Sequence, residues 1–512
     1  MTRYQLTLHE ATQLMETRSL CPVCLKVVSA EVVEKGGKVL LHKTCPEHGF
    51  FEDVYWSDAR LYKRFASFEY EGRGPENPIT KTQNGCPLDC GLCANHKSAT
   101  VLANIDLTNR CNMRCPICFA NAASTGYVYE PSFEQVKNMM IVLREQKPAP
   151  VRAIQFAGGE PTVREDLPDI VRLAREMGFG HVQLATNGIR LAESVEYCKE
   201  LVEAGLHAVY LQFDGITPKP YVVLRGYDAL PQKLKAIENC RKANLTSIVL
   251  VPTLTKGVND GEIGDMIRFA ARNSDVIRGI NAQPISFCGR VERENVKSAR
   301  VTIPDFFKLV EQETDGQILA EDFYPIPIVV PLSLSVQSWS HIPQTHFTCH
   351  PHCGAATYVF VDGERLVPLP KFIDVEATYR LVLDVANKLE RDHRFGKAGA
   401  ILEIARKLPS LVHVDKLPRN VDAVKLILNL LTRGTPEDLA EFHRKAILIG
   451  CMHFMDAYNF DLSRVEKCVI HYVIPDGRII PFCSFNVLHR TKVEEEFSTP
   501  IAAWTKANSK SV

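Results

Sequence analysis

Between residues 100 and 290 the chain repeats one hydropathy pattern: a short apolar run, a polar turn, then a longer segment with apolar positions at helical spacing. The short runs predict strands and the longer segments predict helices. Predicted strands lie at 101–108, 153–157, 181–185, 208–213, 247–253 and 278–284, and predicted helices begin at Ser132 and cover 167–177, 191–204, 230–243 and 263–272. Strands that alternate with helices indicate a parallel sheet, so we expect an α/β fold curled as a full or partial barrel.

Polar and sulfur-bearing residues follow the ends of these predicted strands. Cys111, Cys115 and Cys118 follow the first, and Gly158-Gly159-Glu160-Pro161 follows the second. The next two are followed by Thr186-Asn187-Gly188 and by Asp214-Gly215. Functional groups of such folds collect at the carboxyl ends of the strands, so this edge is the expected site.

The flanking regions have different patterns. The run 32–41 predicts a hairpin that turns at Gly36-Gly37, and 468–483 predicts a second hairpin that turns at Pro475-Asp476-Gly477. Apolar residues dominate 323–336, which is broken by prolines, and 424–431, which predicts a mostly buried helix. We divide the chain into four regions: an N-terminal metal knuckle at 1–75, an auxiliary segment at 76–100, a catalytic core at 101–300 and a C-terminal domain at 301–512.

Composition narrows the class of protein. The 512 residues contain 60 Lys plus Arg and 60 Asp plus Glu, a balance that argues against a nucleic-acid binder with a broad basic surface. The N-terminus has no secretory signal, and no apolar run is long enough to span a bilayer. We therefore expect a cytoplasmic protein, with peripheral membrane contact left open. Thiols stay reduced there, so closely spaced cysteines are better interpreted as metal ligands than as disulfides.

Fourteen of the 17 cysteines fall into groups. In 111–118 three residues separate the first two cysteines and two residues separate the second and third. Three thiols spaced in this way can hold three irons of a cubane and leave the fourth iron without a protein ligand. A knuckle with a fourth ligand from His48 or from a cysteine elsewhere suits zinc or a single iron. Cys198 and Cys240 lie in predicted helices and are interpreted as core or surface residues. Cys288 follows a predicted strand, and its sequence context assigns it neither to the core nor to a metal site. His350 and His352 are interpreted as surface or hydrogen-bonding side chains. The groups are the knuckle Cys21, Cys24, Cys45; the second triad Cys86, Cys90, Cys93; the loop Cys111, Cys115, Cys118; the pair Cys349, Cys353; and the C-terminal Cys451, Cys468, Cys483.

The three-cysteine loop together with Gly158-Gly159-Glu160-Pro161 resembles the radical S-adenosylmethionine (SAM) superfamily over about residues 100–290. The resemblance implies a partial (β/α)6 TIM-like barrel and a [4Fe–4S] cluster on Cys111, Cys115 and Cys118. It implies SAM on the open iron and a 5′-deoxyadenosyl radical that abstracts hydrogen from carbon. The resemblance also implies which residues contact SAM. Phe119 is expected near the adenine, and Gly158, Gly159 and Glu160 are expected at the amine. Asn187 and Asp214 are further candidates.

The remaining cysteines indicate additional metal centres. The second triad at 86–93 is interpreted as an auxiliary [4Fe–4S] site, with zinc as the alternative. A further cluster is expected on Cys349, Cys353, Cys468 and Cys483, with Cys451 able to join either site. One or two auxiliary clusters and one mononuclear iron or zinc are thus expected.

The whole arrangement, including the stretch 453–461, resembles the archaeal tetraether lipid synthases. That resemblance implies carbon–carbon bond formation between the ends of two isoprenoid chains of a diether lipid, and the apolar stretches 323–336 and 424–431 are candidates for a lipid tunnel. It also implies an electron donor such as ferredoxin or flavodoxin.

Two alternatives remain at this point. Relatives of these proteins are also named pterin methylases, which would need a small polar pocket. An iron–sulfur electron carrier is the non-enzymatic alternative, although a carrier has no use for the repeated strand–helix pattern.

Overall fold

A computed structural model describes residues 12–292, 296–391, 395–419, 422–432 and 436–508. The strands are β1 Thr12–Leu20, β2 Val27–Lys35, β3 Lys38–Cys45, β4 Gly49–Trp56, β5 Leu102–Asp106, β6 Tyr127–Tyr129, β7 Ala153–Ala157, β8 His181–Thr186, β9 Ala208–Gln212, β10 Ile248–Val251, β11 Thr253–Leu254, β12 Ile277–Pro284, β13 Tyr324–Pro325, β14 Gly354–Asp362, β15 Arg365–Pro368, β16 Ala446–Met452, β17 Ile470–Val473, β18 Ile479–Pro481 and β19 Ser498–Pro500.

The helices lie between and after these strands. They are α1 Ala59–Ala66, α2 Phe133–Arg144, α3 Leu167–Glu176, α4 Ile189–Glu193, α5 Val195–Glu203, α6 Pro218–Arg225, α7 Leu230–Lys242, α8 Ile263–Arg272, α9 Val296–Ala299, α10 Ile303–Glu313, α11 Val330–Ser340, α12 Leu369–Phe372, α13 Val375–Arg391, α14 Lys397–Lys407, α15 Ala423–Thr432, α16 Pro436–Lys445, α17 Leu462–Glu466, α18 Phe482–Ser484, α19 Arg490–Glu496 and α20 Ile501–Asn508. None of the helices in these described ranges is long and apolar enough to cross a membrane.

One mixed sheet organises the molecule. Eight neighbouring strands are parallel, in the order β17-β5-β7-β8-β9-β10-β12-β16. Antiparallel partners extend it at both ends, β18 beside β17 and β14 beside β16. The prediction of an α/β fold with a parallel core is therefore confirmed. The sheet is mixed, and the finer expectation of a (β/α)6 partial barrel is not confirmed.

Local sequence signals determine several element boundaries. Ser132 caps α2 and forms the expected capping box with Gln135. The predicted helix 263–272 is observed with the same bounds, whereas 191–204 is divided because Ser194 ends α4 and caps α5. Both predicted hairpins form, as β2–β3 and β17–β18.

The C-terminal region contributes to the core sheet. Strand β16 pairs with β12, and β17 pairs with β5, so two strands from the last 70 residues flank the six predicted core strands. The division at residue 300 therefore does not separate two sheets. A second apolar core, built mostly from α13 to α16, packs on the outer side of β14 and β15.

The N-terminal sheet, β1 to β4, is joined to the rest by a buried charge network. Arg300 donates to Asp53 of β4 at 2.6 Å and to Asp456 at 2.7 and 3.1 Å. All three side chains are at most 7% exposed. Removing one partner of such a network leaves an uncompensated buried charge, which costs far more than the loss of a surface ion pair.

We expect Arg300→Leu to lower the free energy of unfolding by about 3–5 kcal/mol, because two buried carboxylates lose their cation. The matched control is Arg241→Leu, which removes a solvent-exposed pair with Asp275 and should cost less than about 1 kcal/mol. Chemical denaturation of both variants measures the difference. Equal losses would contradict the structural role of Arg300.

Candidate active site

One cavity of about 430 Å³ lies against the parallel strands and receives side chains from both ends of the sheet. The cysteine loop after β5 closes one side, and residues that follow β16 and β18 close the other. The predicted site residues that line it are Cys111, Cys115, Cys118, Phe119, Gly158, Gly159, Glu160, Asn187 and Cys483.

The two glycines let the cysteine loop lie directly on the end of β7. Gly158 has a φ of +140°, and a Cβ there would lie 2.3 Å from the carbonyl oxygen of Thr108. A Cβ on Gly159 would lie 2.2 Å from the carbonyl oxygen of Arg110. Any larger residue would push the loop away, so Gly-Gly here is required by close packing of backbone on backbone.

Glu160 ties two strand ends together. Its Oε1 accepts hydrogen bonds from the hydroxyls of Thr162 and Thr186 at 2.6 and 2.7 Å, and its Oε2 accepts from the Asn187 backbone at 2.7 Å. The Asn187 amide donates to Asn112 of the cysteine loop at 2.7 Å. Glu160 and Asn187 therefore position the loop, in addition to lining the cavity.

Asp214 is placed differently from the expectation. Both of its carboxylate oxygens accept from the Arg225 guanidinium at 2.7 Å, and Asp214 is absent from the cavity lining among the described residues. Arg225 is the residue that reaches the cavity, and it lies beside Cys115. The expected contact between Asp214 and SAM is thus replaced by an indirect role through Arg225, a residue with no signal in the sequence.

Burial opposes ionisation of two thiols of the loop, Cys111 and Cys115. Burial raises the pKa of Cys111 to about 12 and also raises that of Cys115. Metal ligation requires thiolates, and a metal bound by this loop would supply positive charge that favours the ionised form of these thiols. Three thiols on one short loop suit an iron–sulfur cluster with an open iron, so the residues fit the group that the motif implies.

The interior of the cavity is unusually polar on one side. Amide side chains from five strands face it: Asn104, Gln155, Gln183, Gln212, Asn281 and Gln283, together with the Tyr210 hydroxyl. The interiors of parallel-strand folds are ordinarily filled by branched apolar residues. Amides in their place indicate a polar ligand, and the carbonyl oxygen of Gln212 is buried without a partner among the described residues.

Aromatic rings cover the opposite side. Phe454 stacks on Phe482 with ring centroids 4.2 Å apart, and Tyr472 stacks on Phe482 at 5.3 Å. Phe119, which is 38% exposed, lies 6.0 Å from Phe482. The cavity is therefore bounded by flat apolar rings on one side and by hydrogen-bonding groups on the other.

The second triad surrounds a separate small cavity. Cys86, Cys90 and Cys93 all line a space of about 20 Å³ close to α17. The Ser484 hydroxyl donates to the Cys90 sulfur at 3.0 Å. The structure thus brings the three predicted thiols together.

Four cysteines from distant parts of the sequence also converge. Burial raises the pKa of Cys349, and the nearby Cys353 and Cys468 raise it further. Burial and the nearby Cys468 and Cys353 likewise raise the pKa of Cys483. The fully buried Arg464 donates to the Cys353 sulfur at 3.3 Å, an interaction that stabilises a thiolate.

Cys451 is not part of either set. It lies on β16 with its side chain in the main apolar core, on the face opposite to that of Met452, which lines the cavity. The expectation that Cys451 ligates a metal is therefore wrong. Cys288 does line the cavity, whereas Cys198 and Cys240 are buried on helices as expected.

The N-terminal knuckle forms a compact ligand set. The ligand atoms of Cys21, Cys24, Cys45 and His48 all lie within 4.8 Å of one another. His48 Nδ1 lies 3.6 and 3.5 Å from the sulfurs of Cys21 and Cys45. Tetrahedral zinc, with bonds of about 2.0–2.3 Å, suits such spacing, so these four residues could hold the ion with His48 as the fourth ligand.

Comparisons with known proteins agree with this geometry. A family model described as the radical SAM superfamily matches residues 105–270, and the model of the HMPTM N-terminal zinc ribbon domain matches residues 13–57. A 7,8-dihydro-6-hydroxymethylpterin dimethyltransferase of Methanocaldococcus jannaschii is 55% identical over 96% of this chain and 97% of its own length.

The chain belongs to the radical SAM superfamily. A [4Fe–4S] cluster and SAM are accordingly cofactors of this superfamily member, and the N-terminal ribbon is a metal site.

Other similar proteins match only part of the chain. A probable GTP 3′,8-cyclase of Thermococcus kodakarensis is 34% identical over 35% of this chain and 56% of its own length. Among solved structures, Streptococcus suis SuiB bound to S-adenosylmethionine is 16% identical with a TM-score of 0.35, over 43% of this chain and 48% of that one.

The expectation of tetraether lipid synthesis is contradicted by these findings. The relative that matches nearly the whole chain is named for methyl transfer to a pterin. None of the described residues that line the cavity comes from 323–336 or 424–431, the stretches expected to form a lipid tunnel. The stretch 323–336 covers the start of α11 and the residues before it, and 424–431 lies within α15. Leu426, Ile427 and Leu431 of α15 pack in the second core.

We expect Cys353→Ser to lower the iron content of anaerobically reconstituted protein by about four atoms per chain, because a buried four-thiol site would lose one ligand. Cys451→Ser is the matched control and should leave the iron content unchanged. Iron and sulfide analysis measures both. Equal iron in the two variants would contradict the four-cysteine site.

Proposed function

We propose that the protein is a radical SAM methyltransferase that acts on a 7,8-dihydro-6-hydroxymethylpterin. The observation that carries this proposal is the 55% identity over 96% of the chain to a protein named for that dimethyl transfer. The match extends beyond the shared core to 96% of the chain, and a separate family model matches the zinc ribbon.

The cavity supports a small heterocyclic substrate. A pterin is flat and has ring nitrogens, an amino group and a carbonyl group along its edges. Stacked rings such as Phe454 and Phe482 suit its faces, and amides such as Gln155 and Gln183 suit its edges. An isoprenoid chain would leave the buried carbonyl oxygen of Gln212 without a partner, which is unfavourable.

Each part of the site has an assigned task. Cys111, Cys115 and Cys118 would hold the cluster; Glu160, Asn187 and Arg225 would keep the loop in place and turn polar groups toward SAM. When bound, the cluster and SAM supply the radical that abstracts a hydrogen atom. The apolar rings of Phe119, Phe454 and Phe482 would limit the access of water to that radical.

The auxiliary sites would serve electron transfer. Cys483 lines the main cavity and also belongs to the four-cysteine set, so an iron–sulfur cluster there would lie next to the substrate. The triad Cys86, Cys90, Cys93 would hold another cluster. We propose a low-potential donor such as ferredoxin or flavodoxin as the partner that supplies electrons.

We expect anaerobic incubation of the reconstituted protein with SAM, a reductant and the dihydropterin to yield methylated pterin and 5′-deoxyadenosine. Cys115→Ala should lower both products to background because the loop loses one of its three thiols. Cys240→Ala removes a buried thiol far from the cavity lining and serves as the control.

Mass spectrometry measures the products. Deoxyadenosine formation with an unchanged pterin would refute the proposal, as would joined isoprenoid chains formed from diether lipid under the same conditions. Deoxyadenosine from Cys115→Ala at the normal rate would refute the assignment of the loop.

A further inference from the structure

Arg464 is a buried cation that lacks a carboxylate partner. It is 2% exposed, and within the described ranges no ion pair joins it to an aspartate or a glutamate. A charge buried in this way is unfavourable unless an anion lies close by, so the contacts of Arg464 indicate where that anion lies. The other buried arginines of the described ranges each pair with an aspartate: Arg164, Arg225, Arg300 and Arg490.

The guanidinium of Arg464 contacts one member of the four-cysteine set. Its Nε donates to the Cys353 sulfur at 3.3 Å, and its Nη2 donates to the His453 carbonyl oxygen at 2.7 Å. The carboxylate of Asp461, at the start of the same helix, accepts instead from the Tyr55 hydroxyl at 2.7 Å and caps α17. Of the two acceptors of Arg464, only the sulfur can become an anion.

A second cysteine of the set, Cys483, also acts on Arg464. Burial lowers the pKa of the guanidinium, but the charges of Cys353, Tyr55 and Cys483 outweigh burial and raise that pKa above its usual value. The Met455 backbone donates to the Cys483 sulfur at 3.3 Å, so two N–H groups donate to two different sulfurs of the set. Hydrogen bonds to the sulfurs and nearby charge determine the reduction potential of an iron–sulfur cluster.

The buried arginine beside the three-cysteine loop is placed differently. Arg225 lies next to Cys115, but both oxygens of Asp214 accept from its guanidinium at 2.7 Å. The carboxylate therefore neutralises Arg225 locally. The full charge of Arg464, by contrast, is available to the four-cysteine set.

We propose that Arg464 is the counter-cation of a [4Fe–4S] cluster on Cys349, Cys353, Cys468 and Cys483 and that it raises the reduction potential of that cluster. The inference rests on the proposed auxiliary cluster at this site. When a low-potential donor adds one electron, no bond forms or breaks, and the guanidinium stabilises the added negative charge. Because Cys483 lines the main cavity, the stored electron lies next to the substrate.

The test is a redox titration of anaerobically reconstituted protein, followed by electron paramagnetic resonance. The signal of the four-cysteine cluster is the one that Cys353→Ser lacks, and the signal of the loop cluster is the one that changes when SAM is added. Arg464→Gln removes the charge and keeps a polar side chain, whereas Arg464→Lys keeps the charge. Arg241→Gln is the control, because it removes a solvent-exposed arginine that pairs with Asp275.

We expect Arg464→Gln to disfavour reduction of the four-cysteine cluster at least about tenfold, which is a shift of about 59 mV to lower potential for one electron. Arg464→Lys should shift the potential less than Arg464→Gln, and Arg241→Gln should titrate like wild type. The loop cluster should titrate alike in all four proteins.

Two results would overturn this inference and leave the proposed methyl transfer standing. One is an Arg464→Gln protein that titrates at the wild-type potential, and the other is an equal shift in Arg464→Gln and Arg464→Lys. If Cys353→Ser retains every cluster signal of wild type, the proposed four-cysteine cluster fails, and this inference fails with it.

A second measurement applies if Arg464→Gln binds less iron than wild type. Wild-type protein that carries ¹⁵N-labelled arginine is reduced, and pulsed electron paramagnetic resonance records nuclear couplings to the four-cysteine signal. We expect a ¹⁵N coupling, because Nε of Arg464 lies 3.3 Å from the Cys353 sulfur. A four-cysteine signal without that coupling would overturn the inference.

Discussion

The parallel pairing of eight strands is the constraint on which the rest of the structure depends. It gathers residues that lie hundreds of positions apart in the sequence at one edge of one sheet. The cysteine loop follows β5, Gly158-Gly159 follows β7, and β16 and β17 bring the C-terminal segments to the same cavity. If β16 or β17 were unpaired, the aromatic wall and Cys483 would be separated from the loop that they face.

Much of the local structure could be predicted from the sequence because its causes are local. The capping box at Ser132 and Gln135 determines where α2 begins, and the turn at Gly36-Gly37 determines a hairpin. The three-cysteine loop was equally readable, since its spacing alone defines a ligand set. These signals depend on residues a few positions apart, which a single sequence displays directly.

The errors came from contacts between distant residues. Asp214 looked like a ligand residue because it follows a strand, but only the folded chain shows that Arg225 occupies both of its oxygens. Cys451 looked like a spare ligand, and only the pairing of β16 shows that its side chain faces the apolar core. The polarity of the cavity was unreadable for the same reason, because Asn104 and Gln283 become neighbours of one space only when the sheet forms. The misassigned substrate follows from this, since the motifs shared by a superfamily describe how a radical is made and not what it attacks.

The central claim is that one cavity holds a pterin between its aromatic wall and its row of amides, next to the three-cysteine loop. A crystal structure of the reconstituted protein with SAM and 7,8-dihydro-6-hydroxymethylpterin measures this most directly. The account predicts the pterin ring inside the cavity, with polar groups of its edge within hydrogen-bonding distance of the side chains that line the polar side. A pterin bound outside the cavity, or an isoprenoid chain occupying it, would contradict the account.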